Sequence, residues 1–297
     1  MATRVVMTLL VRNEEDLIAD NILFHYSQGI SHFLVMDNLS TDATPVILRR
    51  LARLVPMTRL QQASDTYDQG VWVTEMARSA YRDHGADWVI NNDADEFWLF
   101  PDEDAPSFLD SIDPAVAGLY VKRFDAVLPK RGRAHACLAH PSWSRFFWRE
   151  SVNALNRPLP PKCMHRAFAD VTVAQGNHHI FGHRGSLETT EQVSILHFPY
   201  RQFSSYQAKI RLGGGAYERN KVLPQSMGNA WRAQHNILHR EGLEGFWNGL
   251  QITSETIAQG LVEGSIFETT QLLDVVKSLR ARHLWFWLKC RLSRWLS

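Results

Sequence analysis

Cysteine is scarce in this chain: Cys137, Cys163 and Cys290 are the only three among 297 residues. They are odd in number, far apart and without a C-x-x-C spacing, so neither a disulfide framework nor a zinc ribbon follows. Reduced, mostly buried thiols in a cytoplasmic protein are expected instead. Long apolar runs are missing too. The first run, Val5 to Val11, is too short for a signal-peptide core or a membrane span. An excess of one charge is also lacking, since 32 basic and 31 acidic side chains leave +1. Binding nucleic acid as a main task leaves a strongly basic footprint, and none is present. No internal repeat or low-complexity tract interrupts the chain. With 45% apolar and 21% charged residues, the composition is that of an ordinary globular protein. Its length suits one large domain, or one domain with an appendage.

What is there begins with a regular alternation. Val5-Val6-Met7-Thr8-Leu9-Leu10-Val11 is nearly continuous in apolar residues, as expected of a strand buried on both faces. Residues 16–28 read as a helix, with Ile18, Ile22 and Tyr26 spaced by four and Gly29 as the stop. Residues 33–36 read as the second buried strand. Thr44 is expected to cap a helix with Pro45 in its first position and Val46, Ile47, Leu51 and Leu54 on its apolar face. A third strand over 57–60, a third helix over 73–84 closed by Gly85, and a fourth strand over 88–90 complete the pattern. Such alternation predicts an α/β fold, a mostly parallel central sheet flanked by helices. Sheets of this kind bind ligands at the carboxyl ends of their strands. Residues 12–15, 37–42 and 92–96 occupy those ends, and all three segments are polar and acid-rich.

Beyond Pro101 the pattern loosens. Residues 119–121, 171–173 and 193–198 read as strands, and 129–161, rich in Pro, Arg and His, as long loops of the kind that often bind ligands. Residues 203–212 read as a helix that Gly213, Gly214 and Gly215 break or kink.

Asp93-Ala94-Asp95-Glu96 directly follows a buried strand, so two carboxylates separated by one residue project from its carboxyl end. Hard divalent cations take oxygen ligands, and Mg²⁺ is commonly bound by one or two carboxylates with substrate phosphates completing its shell. The competing reading is an acidic turn that caps the next helix. At the second strand tip, Asp37 is placed to accept hydrogen bonds from a base or ribose, whereas Asp42 with Ser40 and Thr41 suits a turn or helix cap.

Three segments resemble the signature segments of family 2 glycosyltransferases. They are Val11-Arg12-Asn13-Glu14-Glu15, Met36-Asp37-Asn38-Leu39-Ser40-Thr41-Asp42 and Asp93-Ala94-Asp95-Glu96-Phe97. They are most similar to the bacterial subgroup whose D-x-D reads D-A-D-E-F. The resemblance continues more loosely through Gly176-Asn177-His178 and Leu196-His197-Phe198-Pro199-Tyr200-Arg201, and covers residues 4–215. It implies a GT-A fold over 1–225, with a nucleotide-binding half over 1–100, an acceptor half over 101–225 and a helical extension over 226–297. It also implies a nucleotide-diphosphate sugar as donor and Mn²⁺ or Mg²⁺ on the diphosphate. The expected reaction is inverting transfer to the hydroxyl of a glycan, lipid or polysaccharide acceptor, in bacterial glycan or glycolipid synthesis. Carried over by position, Arg12, Asn13, Glu14, Asp37 and Asn38 would contact the nucleotide, and Asp93 and Asp95 would hold the metal. Many members carry D-D-G-S at the second segment, where Asn38 and Leu39 stand here.

Charge builds on the diphosphate as the sugar departs, so cations must face it. A carboxylate or histidine must take the acceptor's proton. Glu188 and Glu191 are the candidates for that base because they precede the strand at 195–197; solvated loop positions are the competing reading for both. His197 ends an apolar run similar to the I-x-H-[FY] strand from which several GT-A enzymes draw a third metal ligand, with a satisfied structural histidine as the alternative. His178 is the reserve ligand. Arg201 and Lys209 are candidate diphosphate partners, although for Lys209 an exposed helix face competes.

At the far end, Trp285, Leu288, Leu292 and Trp295 share one helical face, while Arg282, Lys289, Arg291 and Arg294 supply charge of a single sign. A basic amphipathic helix of this kind suits peripheral contact with a membrane, or docking on its own domain or a second subunit. Two other classes compete for the whole chain. A nucleotidyltransferase making nucleotide sugars would carry a Gly-rich basic loop after the first strand, and residues 12–15 hold no glycine. A non-catalytic carbohydrate-binding protein on the same fold would not need Asp93 and Asp95.

Overall fold

A computed structural model describes residues 3–66, 68–130, 144–224, 227–283 and 286. Nearly all of the basic tail, together with Cys137 and Cys290, lies outside the described residues. The chain runs β1 (Val5–Val11), α1 (Ile18–Ser27), β2 (His32–Asn38), α2 (Thr44–Leu51), β3 (Met57–Gln62), α3 (Gln69–His84) and β4 (Trp88–Asn92). Next come β5 (Glu96–Leu99), α4 (Ala105–Asp110), β6 (Val116–Asp125), β7 (Leu128–Pro129), β8 (Phe146–Trp148) and β9 (Lys162–Arg166). Short β10 (Thr172–Val173) and β11 (Ile180–Phe181) precede the long β12 (Ser186–His197) and α5 (Phe203–Arg219). The chain closes with α6 (Asn229–Arg240), α7 (Glu244–Leu250), β13 (Gln251–Ile252), α8 (Ser254–Glu263), β14 (Ile266–Glu268) and α9 (Gln271–Arg282).

An eight-stranded sheet in the order β3-β2-β1-β4-β9-β6-β12-β5 forms the centre. Four of its junctions are parallel and three, β4–β9, β9–β6 and β12–β5, are antiparallel. The architecture is therefore mixed α/β with a mostly parallel sheet. Helices cover both faces, and β1 shows why. Its Val5, Met7 and Leu9 enter one core with Ile18 and Ile22 of α1, while Val6 enters the other with Val73, Met76 and Ala77 of α3. Successive side chains point to opposite faces, so a strand buried on both needs the uninterrupted apolar run seen here. Each such buried side chain contributes about 1.5–3 kcal/mol.

Several local expectations shift. Asp42, rather than Thr44, caps α2, since its Oδ1 accepts from the Thr44 amide at 2.9 Å. Thr44 instead lies within the helix and its Oγ1 accepts from the Glu14 amide at 2.8 Å. No helix follows the 93–95 turn: it leads straight into β5, which pairs with β12 at the far edge of the sheet. The strand expected over 193–198 begins earlier, at Ser186, so Glu188 and Glu191 are strand residues. The three glycines do not break their helix. α5 continues to Arg219, and a Cβ built at Gly213 would lie 2.6 Å from the Trp231 ring and one at Gly214 2.5 Å from the Cβ of His235. These glycines let α6 approach closely.

Residues 227–283 pack on the same body. β13 pairs with β7 and β14 with β8, and Leu272, Val276 and Leu279 of α9 join the larger core. Arg280 of α9 binds the buried Asp20 of α1. Among the described residues no helix is long and apolar enough to cross a membrane. Cys163 is buried, and burial pushes its thiol up to about 12, which leaves it unreactive.

Candidate active site

The carboxyl ends of β1, β2, β4, β6 and β12 meet along one edge of the sheet. Antiparallel β9 presents its first residue, Lys162, at that same edge. There a cavity of about 510 Å³ opens, roofed by α5 and α6. Arg12, Glu14, Asn38, Asp93, Asp95, His178, His197 and Lys209 all line it. Asn21 of α1 sets the 93–95 turn from below: its side-chain amide donates to the carbonyls of Ala94 at 3.0 Å and Glu96 at 2.8 Å. From the other side the Phe198 amide donates to the Asp95 carbonyl at 2.8 Å. The two carboxylates thus project from a backbone held by buried partners.

Each carboxylate meets cations. Asp93 Oδ2 accepts from Lys162 Nζ at 2.5 Å, and Asp93 Oδ1 from Asn177 at 3.3 Å. Lys162, only 1% exposed, also lies 3.2 Å from Glu96, which pairs with Arg123 at 2.9 Å. Asp95 Oδ2 accepts from Lys209 Nζ at 2.6 Å, with Arg201 Nη1 at 3.6 Å and His197 Nε2 at 3.7 Å. Burial alone would raise both carboxyls. Lys162 at Asp93, and Lys209 with His197 at Asp95, more than reverse that and hold both below the usual carboxylate range. Lys209 is therefore turned inward, not out to solvent. Arg201, 6% exposed, stands behind the wall and binds Glu14 at 2.6 Å and Asp16 at 2.8 Å. Burial lifts Glu14 to about 7 against the pull of Arg201 and Lys209.

His197 Nδ1 donates to Asp125 Oδ1 at 2.7 Å. Burial would lower this imidazole, but the carboxylates of Asp125 and Asp95 raise it to about 9. His178 behaves oppositely: its Nδ1 donates to the Pro161 carbonyl at 2.9 Å, and burial, aided by Lys162 and Arg123, lowers it to about 3.

Four candidates from the sequence stand elsewhere. Asn13 has a left-handed backbone, φ 56°, and its side chain accepts from the Thr41 amide at 2.7 Å, so it braces the loops after β1 and β2. Asp37 accepts from the Ser40 amide at 3.3 Å and, like Asn13, does not line the cavity. Glu188 and Glu191 are exposed on the first part of β12, away from the cavity. Their sequence position before His197 misled because a strand carries residues six and nine places back far from its tip. Sequence reasoning missed Lys162, Arg123 and Asp125. The available signal was slight: in Val121 to Asp125 charged residues are interleaved with apolar ones, and Lys162 opens the apolar pair Cys163-Met164.

A divalent cation fits part of this donor set. Asp95 Oδ2 and His197 Nε2, 3.7 Å apart, can share an ion bound at roughly 2.1 Å from each. Lys209 would have to leave the Asp95 oxygen. Among the described residues no three His, Cys, Asp or Glu side chains gather as a complete metal site, so oxygens from a ligand would fill the remaining positions.

No protein-family model matches the sequence, and no curated protein matches it. Among solved structures, the chain is similar to S. aureus TarS 1-349 in complex with UDP-GlcNAc. The identity is 15%, the coverage 88% of this chain and 79% of that chain, and the TM-score 0.42. It is also similar to the mannosyltransferase PcManGT from Pyrobaculum calidifontis in complex with GDP-Man and Mn²⁺, at 14% identity, 99% and 87% coverage and a TM-score of 0.44.

Proposed function

We propose that this chain is a GT-A-type glycosyltransferase that moves a sugar from a nucleotide-diphosphate sugar to an acceptor hydroxyl. The observation that carries the reading is the edge cavity itself. Two ionised carboxylates after β4 face a space into which Lys162, Lys209 and the His197–Asp125 pair also converge. A site that mixes charges this densely suits a diphosphate, whose own negative charge must be matched group by group.

The strand order supports one orientation of the donor. Arg12 and Asn38, at the ends of β1 and β2, lie on the nucleoside side. Asp93 and Asp95, after β4, lie under the diphosphate. Asp125 and Tyr200, at and beyond the ends of β6 and β12, line the cavity on the other side of the His197 ring, whose Nε2 is 3.7 Å from Asp95. That is where the transferring sugar and its acceptor belong. Lys209 and Lys162 offset leaving-group charge, and Arg201 supports Glu14 and Asp95 from behind. Mn²⁺ or Mg²⁺ would be held by Asp95 and His197, with Asp93 beside them, and would supply Lewis-acid stabilisation of the diphosphate. Inversion at the sugar and a role in bacterial glycan or glycolipid synthesis rest on the resemblance of the three loops.

The test is thermal stabilisation of the full chain by UDP and GDP, with Mn²⁺, with Mg²⁺ and in excess chelator. A nucleotide at a hundred times its dissociation constant should stabilise by about 2.7 kcal/mol. The gain should vanish in chelator, because the Asp93 and Asp95 carboxylates repel a bare diphosphate. Asp95→Asn should lose the gain and the turnover while keeping a native circular dichroism spectrum. Equal stabilisation in chelator would count against the cation, and none from any nucleotide would sink the reading.

A further inference from the structure

Asp125 is the buried carboxylate that meets His197. It ends β6, and the parallel register sets it directly beside His197 at the end of β12. The Asp125 amide donates to Ser151 Oγ at 2.7 Å, and the Ala126 amide donates to the His197 carbonyl at 2.8 Å. Both backbones are therefore fixed, and the 2.7 Å contact between Asp125 Oδ1 and His197 Nδ1 joins two side chains only 8% and 12% exposed.

Two carboxylates compete for the protons of this ring. Asp125 faces Nδ1 at 2.7 Å, and Asp95 faces Nε2 at 3.7 Å. An imidazole whose Nδ1–H is held by a carboxylate offers Nε2 to a cation, which displaces the Nε2 proton on binding. We propose that Asp125 is a positioning residue which holds His197 in the Nδ1-protonated form, so that Nε2 is presented together with Asp95 to the divalent cation at the diphosphate. The inference rests on the glycosyltransferase reading above. Without Asp125 the ring loses the contact that fixes its tautomer and orientation, and Nε2 is no longer held toward the position it shares with Asp95. Ligating histidines commonly have their second nitrogen held by a carboxylate for this reason.

The experiment is Mn²⁺ binding to the full chain, followed by electron paramagnetic resonance with and without UDP or GDP. Asp125→Asn keeps the shape, but its amide can turn an N–H toward Nδ1 and so favour the wrong tautomer. It should weaken Mn²⁺ about ten- to hundredfold, much as His197→Ala does, with the melting temperature of the cation-free protein nearly unchanged. Wild-type affinity in Asp125→Asn would overturn the inference. So would wild-type affinity in His197→Ala alongside lost binding in Asp95→Asn, although the functional reading would then survive. Wild-type protein that binds neither Mn²⁺ nor nucleotide would overturn both. Nitrogen-15 spectra of the wild-type imidazoles with Mg²⁺ and nucleotide give a check that needs no folded variant: His197 must show a protonated Nδ1 and an unprotonated, ligated Nε2.

Discussion

Lys162 is buried to 1% exposure, and its ammonium touches two carboxylates, Asp93 and Glu96. An ammonium is tolerated there only because those partners offset its desolvation. Glu96 keeps Arg123 if Lys162 is lost, whereas among the described residues Asp93 keeps the side-chain amides of Asn177 and Gln69. Lys162→Met should therefore destabilise the fold by roughly 2–3 kcal/mol, less than for a wholly enclosed pair because Asp93 is part-open to the cavity. It should also weaken nucleotide binding. Urea unfolding and nucleotide titration measure the two effects, and a variant as stable as wild type would mean that Asp93 is held otherwise. Asp93 and Asp95 were legible in the sequence because two residues in one turn need no distant partner. Lys162 and Asp125 were not, since their partners lie 69 and 72 positions away in the chain.

At the scale of elements, the N-terminal strands and helices follow their patterns closely, and β1 and α3's C-terminal stop at left-handed Gly85 fall where the sequence puts them. The departure is α5. A run of three glycines is the strongest local signal for a break, yet here the helix continues because α6 packs into the groove that missing side chains leave. Local propensity costs about 1 kcal/mol per glycine, and the close helix contact outweighs it. Gly214→Val would set its side chain against His235 and should force α6 outward at a cost of about 1–3 kcal/mol. Hydrogen exchange should show faster opening of α5 and α6 while β1 and β4 stay protected. Unchanged protection in α6 would mean that the contact is looser than its geometry indicates.

For the molecule as a whole, buried histidines shape the response to acid. His25 and His165 are both 0% exposed, and burial lowers them to about 3 and about 4. Below their unfolded value of about 6.5 the unfolded chain takes up protons that the folded chain refuses. Stability is therefore full above about pH 6.5 and is lost as the pH falls toward 4. Each histidine should cost about 2 kcal/mol by pH 5. Glu14, raised to about 7, works the other way, because the folded state holds its proton between about pH 7 and 4.5 and so gains stability on acidification. The histidines outnumber it, and His178 at about 3 adds to them. Urea unfolding at pH 7 and pH 5 should show a clear net loss, and His165→Gln should flatten the dependence. Equal stability at both pH values would contradict these assignments.

The sequence by itself determined the α/β alternation, the sheet edge on which ligands gather and the two carboxylates at its centre. Those features depend on short-range periodicity and on residues adjacent in one turn, which a linear reading reports directly. Only the tertiary structure decided which charges meet those carboxylates. Lys162 arrives because β9 runs antiparallel and begins at the edge where its neighbours end. Lys209 arrives because an unbroken α5 roofs the cavity and turns that face inward. Asp125 meets His197 through the register of β6 with β12. Strand direction, register and the packing of one helix over another are set by the burial of the whole core, and burial is a property that no segment of the chain holds alone.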